Sequence, residues 1–139
     1  MPRQAGSCPS SQTLEAAFKM LASQLFSNAG ALITLVLGLI ALVSPNVIAK
    51  FVSVEPIGLT GISEVRATYG GFFAALGAVC LYSQSSTVFL VTGVAWCGAA
   101  LGRGLSVLMD RSYAPKNLAG ILFETGIGTL LLAVVASNY

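Results

Sequence analysis

LFSNAGALITLVLGLIALV, residues 25–43, runs for nineteen positions without a charged side chain. The hydrocarbon core of a bilayer takes about 20 apolar residues of helix, so this run reads as a membrane span. Ser44 and Pro45 close it, because proline cannot continue a helix and restricts the residue before it. The run is longer than the roughly 7 to 15 residues of a signal-peptide apolar region, and no small-residue cleavage site follows cleanly. A retained span is therefore expected.

The rest of the chain repeats the pattern. Of 139 residues, 55% are hydrophobic and 9% charged, against about 25% charged in an ordinary soluble domain. Further apolar runs follow at about 64–82, 87–109 and 118–136. The expected fold class is all-α: an integral membrane four-helix bundle, with four transmembrane helices and both termini on the same side.

Residues 1–12, rich in Pro, Ser and Gly near the start, read as a disordered tail. Residues 13–24 read as an interfacial helical lead-in, with Leu14, Ala17, Phe18, Leu21 and Leu25 on one face and Glu15 and Lys19 at i,i+4. Residues 25–139 form the transmembrane domain. The connection at 44–63, SPNVIAKFVSVEPIGLTGIS, is long and apolar enough to lie on the membrane surface. The connection SQSS at 83–86 is short, which makes the second and third helices an antiparallel hairpin. The third connection, DRSYAPK at 110–116, carries Arg111 and Lys116. Weighing Arg3 and Lys19 against Lys50, Arg111 and Lys116 leans towards the first and third connections being cytoplasmic.

Composition also excludes chemistry. Histidine is absent, and with it the usual general base and commonest metal ligand. Cys8, Cys80 and Cys97 form no CxxC pair, and their odd number argues against a disulfide framework. No metal site or cofactor is expected, and a net charge of +2 is too small to suggest nucleic acid. GRG at 102–104 lacks the strand and the lysine-serine ending of a phosphate loop. Trp96 reads as packing, and Tyr82, Tyr113 and Tyr139 as interfacial anchors.

The span-associated charges share one half of the bilayer. Glu64 and Arg66 open the second helix; Arg103 lies seven residues before Asp110, roughly 10 Å in, and Glu124 eight residues after Lys116, roughly 12 Å in. Gly120, Glu124 and Gly128 share a face of the fourth helix. Ala99, Arg103, Ser106 and Asp110 form a stripe on the third, with Gly98 and Gly102 one position away in a GxxxG. That GxxxG is expected to serve packing within the chain. Matching depths make Arg103 and Glu124 the first candidate for a buried ion pair. On the second helix Arg66, Tyr69, Gly70, Phe73 and Gly77 fall on one face, and Glu64, Thr68, Gly71 and Ala75 on another. Arg66 and Tyr69 are expected to face the cluster, with Glu64 near the helix start where a carboxylate suits the macrodipole. A charge at the bilayer centre costs about 2.5 to 3.5 kcal/mol on insertion scales, so a one-sided cluster reads either as a register-fixing salt-bridge network or as a polar pocket.

EVRATYGGFFAALG (64–77), GRGLSVLMD (102–110) and ILFETGIG (121–128) together resemble the small bacterial integral membrane proteins grouped as domain of unknown function 4345, over about residues 25–136. The family's pattern falls on Glu64, Arg66, Tyr69, Gly70, Gly71, Arg103, Asp110 and Glu124. Arg111 stands where members often have glycine. The resemblance implies a four-helix membrane bundle, akin to DoxX-like proteins by fold analogy alone, in a bacterial inner membrane. It implies no activity.

The expected role is a non-enzymatic membrane protein: an accessory or structural subunit of a membrane assembly, or a binder of a lipid or quinone-like molecule. Its expected partners are membrane lipid, a membrane protein or a second copy of the chain, and that ligand. The alternative is a membrane enzyme or carrier for an anionic amphipathic substrate, with Arg66 and Arg103 holding the head group and Glu124 or Asp110 accepting a proton.

Overall fold

The computed structural model describes residues 11–137. Among these residues there is no strand. The elements are α1 (Ser11–Val43), α2 (Pro45–Val52), α3 (Gly58–Val65), a π-helical segment (Arg66–Phe72), α4 (Phe73–Ser83), α5 (Ser86–Met109) and α6 (Pro115–Ser137). Four continuous helical stretches are long and apolar enough to cross a membrane: α1, the run Gly58–Ser83, α5 and α6.

The tail expected at 1–12 lies outside the described residues as far as residue 10, and Ser11 and Gln12 already belong to α1. The lead-in and first span are one helix of 33 residues, about 50 Å long at 1.5 Å per residue. That exceeds a hydrocarbon core of about 30 Å, so the N-terminal turns project beyond it. Leu14, Phe18, Leu21 and Leu25 are all exposed along these turns.

Small residues set how the helices meet. A Cβ at Gly77 would overlap Leu35 and Ala31, and one at Gly38 would overlap Ala74, so α1 and α4 touch backbone to backbone. On the other side of α1, Ser27 Oγ donates to the carbonyls of Leu130 and Leu131 and accepts from the Val134 N–H, each at 3.0 Å, which pins α1 to α6. Gly128 lies against Cys97, and Gly93 against Leu132, where α6 packs along α5. The helices therefore stand in the order α4, α1, α6, α5, and the pairing of α4 with α5 is sparse although the two are joined by a short turn. Ala31, Cys80, Phe89, Trp96, Ile127, Leu131 and Val134 make the buried core. Leu101, Leu105 and Leu122 point outward, as lipid-facing side chains do where packing rather than water exclusion holds helices together.

Gln24 Nε2 donates to Gln84 Oε1 at 2.6 Å, and the hydroxyls of Ser23 and Ser137 share a hydrogen bond of 2.8 Å. These contacts put the α4–α5 turn and the C-terminal end of α6 at the same end of the molecule. The opposite end holds α2, α3 and the α5–α6 turn, where Arg111 adopts φ +52°. That left-handed backbone is one glycine takes at no steric cost.

The 44–63 connection is mostly helix. Pro45 sits at the first turn of α2, where its missing N–H is one the helix leaves unpaired anyway. Ile48 and Ala49 are buried beneath it. The second span begins at Gly58, before the expected Glu64, and it changes winding between Arg66 and Phe72.

Candidate functional site

The sparse α4–α5 pairing leaves a cavity of about 900 Å³ at the α2 end. Leu37 of α1, Tyr69 of the π segment, Phe73 of α4, Trp96, Ala99 and Arg103 of α5, and Lys116, Ala119, Gly120, Phe123 and Glu124 of α6 form its walls. α2 covers it with Val47, Ile48, Lys50 and Phe51.

Arg103 and Glu124 are joined across α5 and α6: Nε and Nη2 each lie 2.9 Å from Glu124 Oε1. The antiparallel course of two consecutive helices brings them to one depth, and Gly120 makes room. A Cβ there would come within 2.8 to 3.0 Å of the Arg103 side chain. Glu124 is 8% exposed, and its Oε2 has no hydrogen-bond partner. A buried, unpaired acceptor costs about 1 to 3 kcal/mol, more when charged, a cost set against the ion pair beside the apolar wall of the cavity.

That wall is aromatic. Tyr69 meets Phe73 edge-on at 5.8 Å, Phe73 meets Trp96 at 5.0 Å, Trp96 meets Phe123 at 6.4 Å and Phe123 meets Phe51 at 5.5 Å. Five rings from five elements thus form one connected arc. The Trp96 indole N–H donates to Thr34 Oγ1 at 3.1 Å, which fixes the middle ring, and Thr34 in turn donates to the Gly30 carbonyl at 2.9 Å. Lys116 Nζ donates to the Lys50 carbonyl at 3.4 Å and ties α6 to α2 at the rim.

The other expected site residues divide. Tyr69 lines the cavity, but Arg66 does not. Arg66 is exposed, and its Nε donates to the Leu42 carbonyl at 3.2 Å, at the end of α1. The separation has a physical cause: a π segment bonds i to i+5 and turns more widely than an α-helix, so Arg66 and Phe73 lose the common face that 100° per residue assigns them. Glu64 is exposed and stands seven positions into its helical stretch, too far from Gly58 to serve the helix start. Asp110 is exposed beyond the end of α5 and accepts a hydrogen bond from Ser106 at 2.7 Å. There the helix has ended and the side chain turns to the surface.

The glycines divide too. Gly70 packs on Leu42, Gly120 on Arg103 and Gly128 on Cys97. A Cβ at Gly98 or Gly102 would meet nothing within 4 Å, and at Gly71 only the Arg66 carbonyl at 3.9 Å. The GxxxG of α5 therefore faces outward, because α6 packs on the face bearing Gly93 and Cys97. In the sequence Lys50 and Lys116 count only as charges of the first and third connections, and Phe51 and Phe123 carry no assigned role; α2 brings Lys50 and Phe51 over the cavity, and Phe123 adjoins Glu124.

The family model described as domain of unknown function (DUF4345) matches residues 22–135. The chain belongs to the DUF4345 family. No curated protein and no solved structure matches it. The family's span of residues takes in the cavity walls from Leu37 to Glu124, and with its four long apolar helices the chain is a small membrane protein of the DUF4345 type.

Proposed function

We propose that this DUF4345 protein binds an amphipathic small molecule, a lipid or quinone-like compound, within the bilayer, and that it does so without catalysing a reaction. The observation that carries the reading is a roughly 900 Å³ cavity walled by aromatic side chains, with the Arg103–Glu124 ion pair in its lining. Small-molecule sites are concave and mostly apolar, with a few placed polar groups. This cavity is of that size, its body is aromatic, and its polar groups are Arg103 and Glu124 inside and Lys50 and Lys116 at the rim. The bacterial inner membrane is the compartment this reading assigns.

Native mass spectrometry of protein released from gentle detergent tests it. A bound amphiphile near one per chain is expected, and Ala99→Trp, which places an indole in the cavity, removes it. Folded wild-type protein that carries nothing overturns the reading.

A second reading, an accessory subunit of a membrane assembly, draws on the outward-facing Gly98 and Gly102, where another helix finds room. Co-purifying protein in the same spectra, lost on Gly98→Leu, supports it.

A further inference from the structure

The binding reading leaves the chemical class of the ligand open, and the charges around the cavity narrow it. Lys50, Arg103 and Lys116 line it as cations, against the single carboxylate of Glu124. That carboxylate is engaged within the wall: Oε1 faces Arg103 Nε and Nη2, and Oε2 is buried. The ion pair cancels as a unit and leaves the two lysines as the uncompensated charges of the lining. Among the described residues neither lysine has an ion-pair partner, and Glu55, which borders a neighbouring groove with Lys50, forms none with it.

The cations gather at one level of the cavity. Lys116 lies one turn before Gly120 on the same face of α6, and Gly120 is where the Arg103 side chain packs. Lys116 Nζ donates to the Lys50 carbonyl at 3.4 Å, so α2 brings the second lysine to the same rim. Glu124 occupies Nε and Nη2 of the guanidinium, which leaves Nη1 to another acceptor. A cleft lined by one sign of charge between apolar walls concentrates the opposite charge. Deeper in, the lining is aromatic: Trp96 lies seven residues, roughly 10 Å, below Arg103 and contacts Phe73 and Phe123.

Resting on the binding function proposed above, we infer that the cavity takes an anionic amphiphile, with a carboxylate or phosphate head between Lys50 and Lys116 beside Arg103, and a hydrocarbon body running inward along the rings to Trp96. A neutral amphiphile of the same shape fills the apolar depth but leaves the lysines without a counter-charge. The step is binding alone, with no covalent change.

Trp96 is the single tryptophan of the chain and lines the cavity, so a bromine that reaches it quenches the protein's tryptophan emission. Protein in phosphatidylcholine vesicles, which add no net charge and no tryptophan, is titrated with dibromostearate and with the corresponding dibromostearyl alcohol. Both carry the bromines midway along the chain. At about pH 9 the acid is ionised and the lysines keep their charge. Read against mole fraction in the bilayer, the acid is expected to half-saturate quenching at least about tenfold lower than the alcohol, which is about 1.4 kcal/mol. In the double variant Lys50→Gln, Lys116→Gln, both at exposed positions, this preference falls below about threefold. Ala99→Phe, which fills the cavity and keeps Trp96 as the sole tryptophan, abolishes saturable quenching. Unbrominated stearate and stearyl phosphate each restore emission, and the more effective of the two names the head group. Inorganic phosphate, an anion without a chain, does not.

Equal half-saturation by acid and alcohol overturns the inference, as does a preference that survives loss of both lysines. So does a preference that survives Ala99→Phe, which would place the anion on the outer surface, or displacement of the acid by inorganic phosphate. If acid and alcohol quench equally and saturably and Ala99→Phe abolishes both, the cavity still binds an amphiphile and only the anionic head is wrong. Absence of saturable quenching by either probe counts against both readings.

Discussion

Arg103 holds Glu124 by one oxygen only, with Nε and Nη2 both 2.9 Å from Oε1 and Oε2 buried without a partner. A bidentate pair would use both carboxylate oxygens and close the site. The one-sided grip keeps the charge paired at the cost of a second carboxylate oxygen buried without a donor. It also joins α5 to α6 at a depth where either charge alone is costly.

The two residues should therefore be energetically coupled. Arg103→Ala and Glu124→Ala each strand a partner, and the double mutant strands neither, so a coupling of about 1 to 3 kcal/mol is expected in a double-mutant cycle read by unfolding in detergent. The upper end of the range for fully buried pairs is not expected, because the Arg103 side chain is 25% exposed. Additive single-mutant losses would show that the contact contributes nothing.

Gly120 sets the position of the arginine. Replacing glycine by alanine inside a helix ordinarily gains up to about 1 kcal/mol, and Gly126, on the same helix with open space around it, should show that gain. Gly120→Ala brings its methyl within 3.0 Å of the Arg103 side chain, so the propensity gain is offset while Arg103 shifts. The expected result is a folded protein whose Arg103–Glu124 coupling is at least halved. Unchanged coupling in Gly120→Ala would remove Gly120 from the site.

Topology has a direct check. In a cysteine-free background, a cysteine at Gln84 and one at Ser112 occupy opposite ends of the molecule, so a membrane-impermeant thiol reagent added to sealed right-side-out vesicles should label only one of them. Equal labelling from one side removes the four-span arrangement.

Much of this was legible in the sequence, and the remainder failed for identifiable reasons. The span lengths follow from hydropathy. The Arg103–Glu124 depth match follows from rise per residue along regular helices, since α5 and α6 are regular. Arg66 could not be placed by the same arithmetic, because the π winding from Arg66 to Phe72 breaks the 100° step and nothing in RATYGGF announces it. α2 was within reach: Ser44-Pro45 is a helix-start signal as well as a stop, and Pro45, Ile48 and Ala49 sit at i, i+3 and i+4, all buried. The outward turn of Gly98 and Gly102 depends on which face of α5 meets α6. GxxxG occurs on contact faces and on open ones, and only the packing separates them.

The same packing yields a contrast between two glycines that composition treats alike. At Gly77 a methyl would collide with the Leu35 backbone N and the Ala31 carbonyl, which lie on the rigid backbone of α1 and move only if the helix does. Overpacking of this kind costs about 1 to 3 kcal/mol, and it exceeds the gain in helix propensity, so Gly77→Ala should lower stability by about 1 to 2 kcal/mol net. At Gly98 a methyl meets nothing within 4 Å, and Gly98→Ala should be neutral or stabilising by up to about 1 kcal/mol. Thermal unfolding of both variants in detergent measures the difference, and lipid nanodiscs repeat it in a bilayer. A Gly98→Ala loss that appears only at high protein concentration would reveal a second helix seated on α5. Equal effects at the two positions would contradict the backbone contact between α1 and α4.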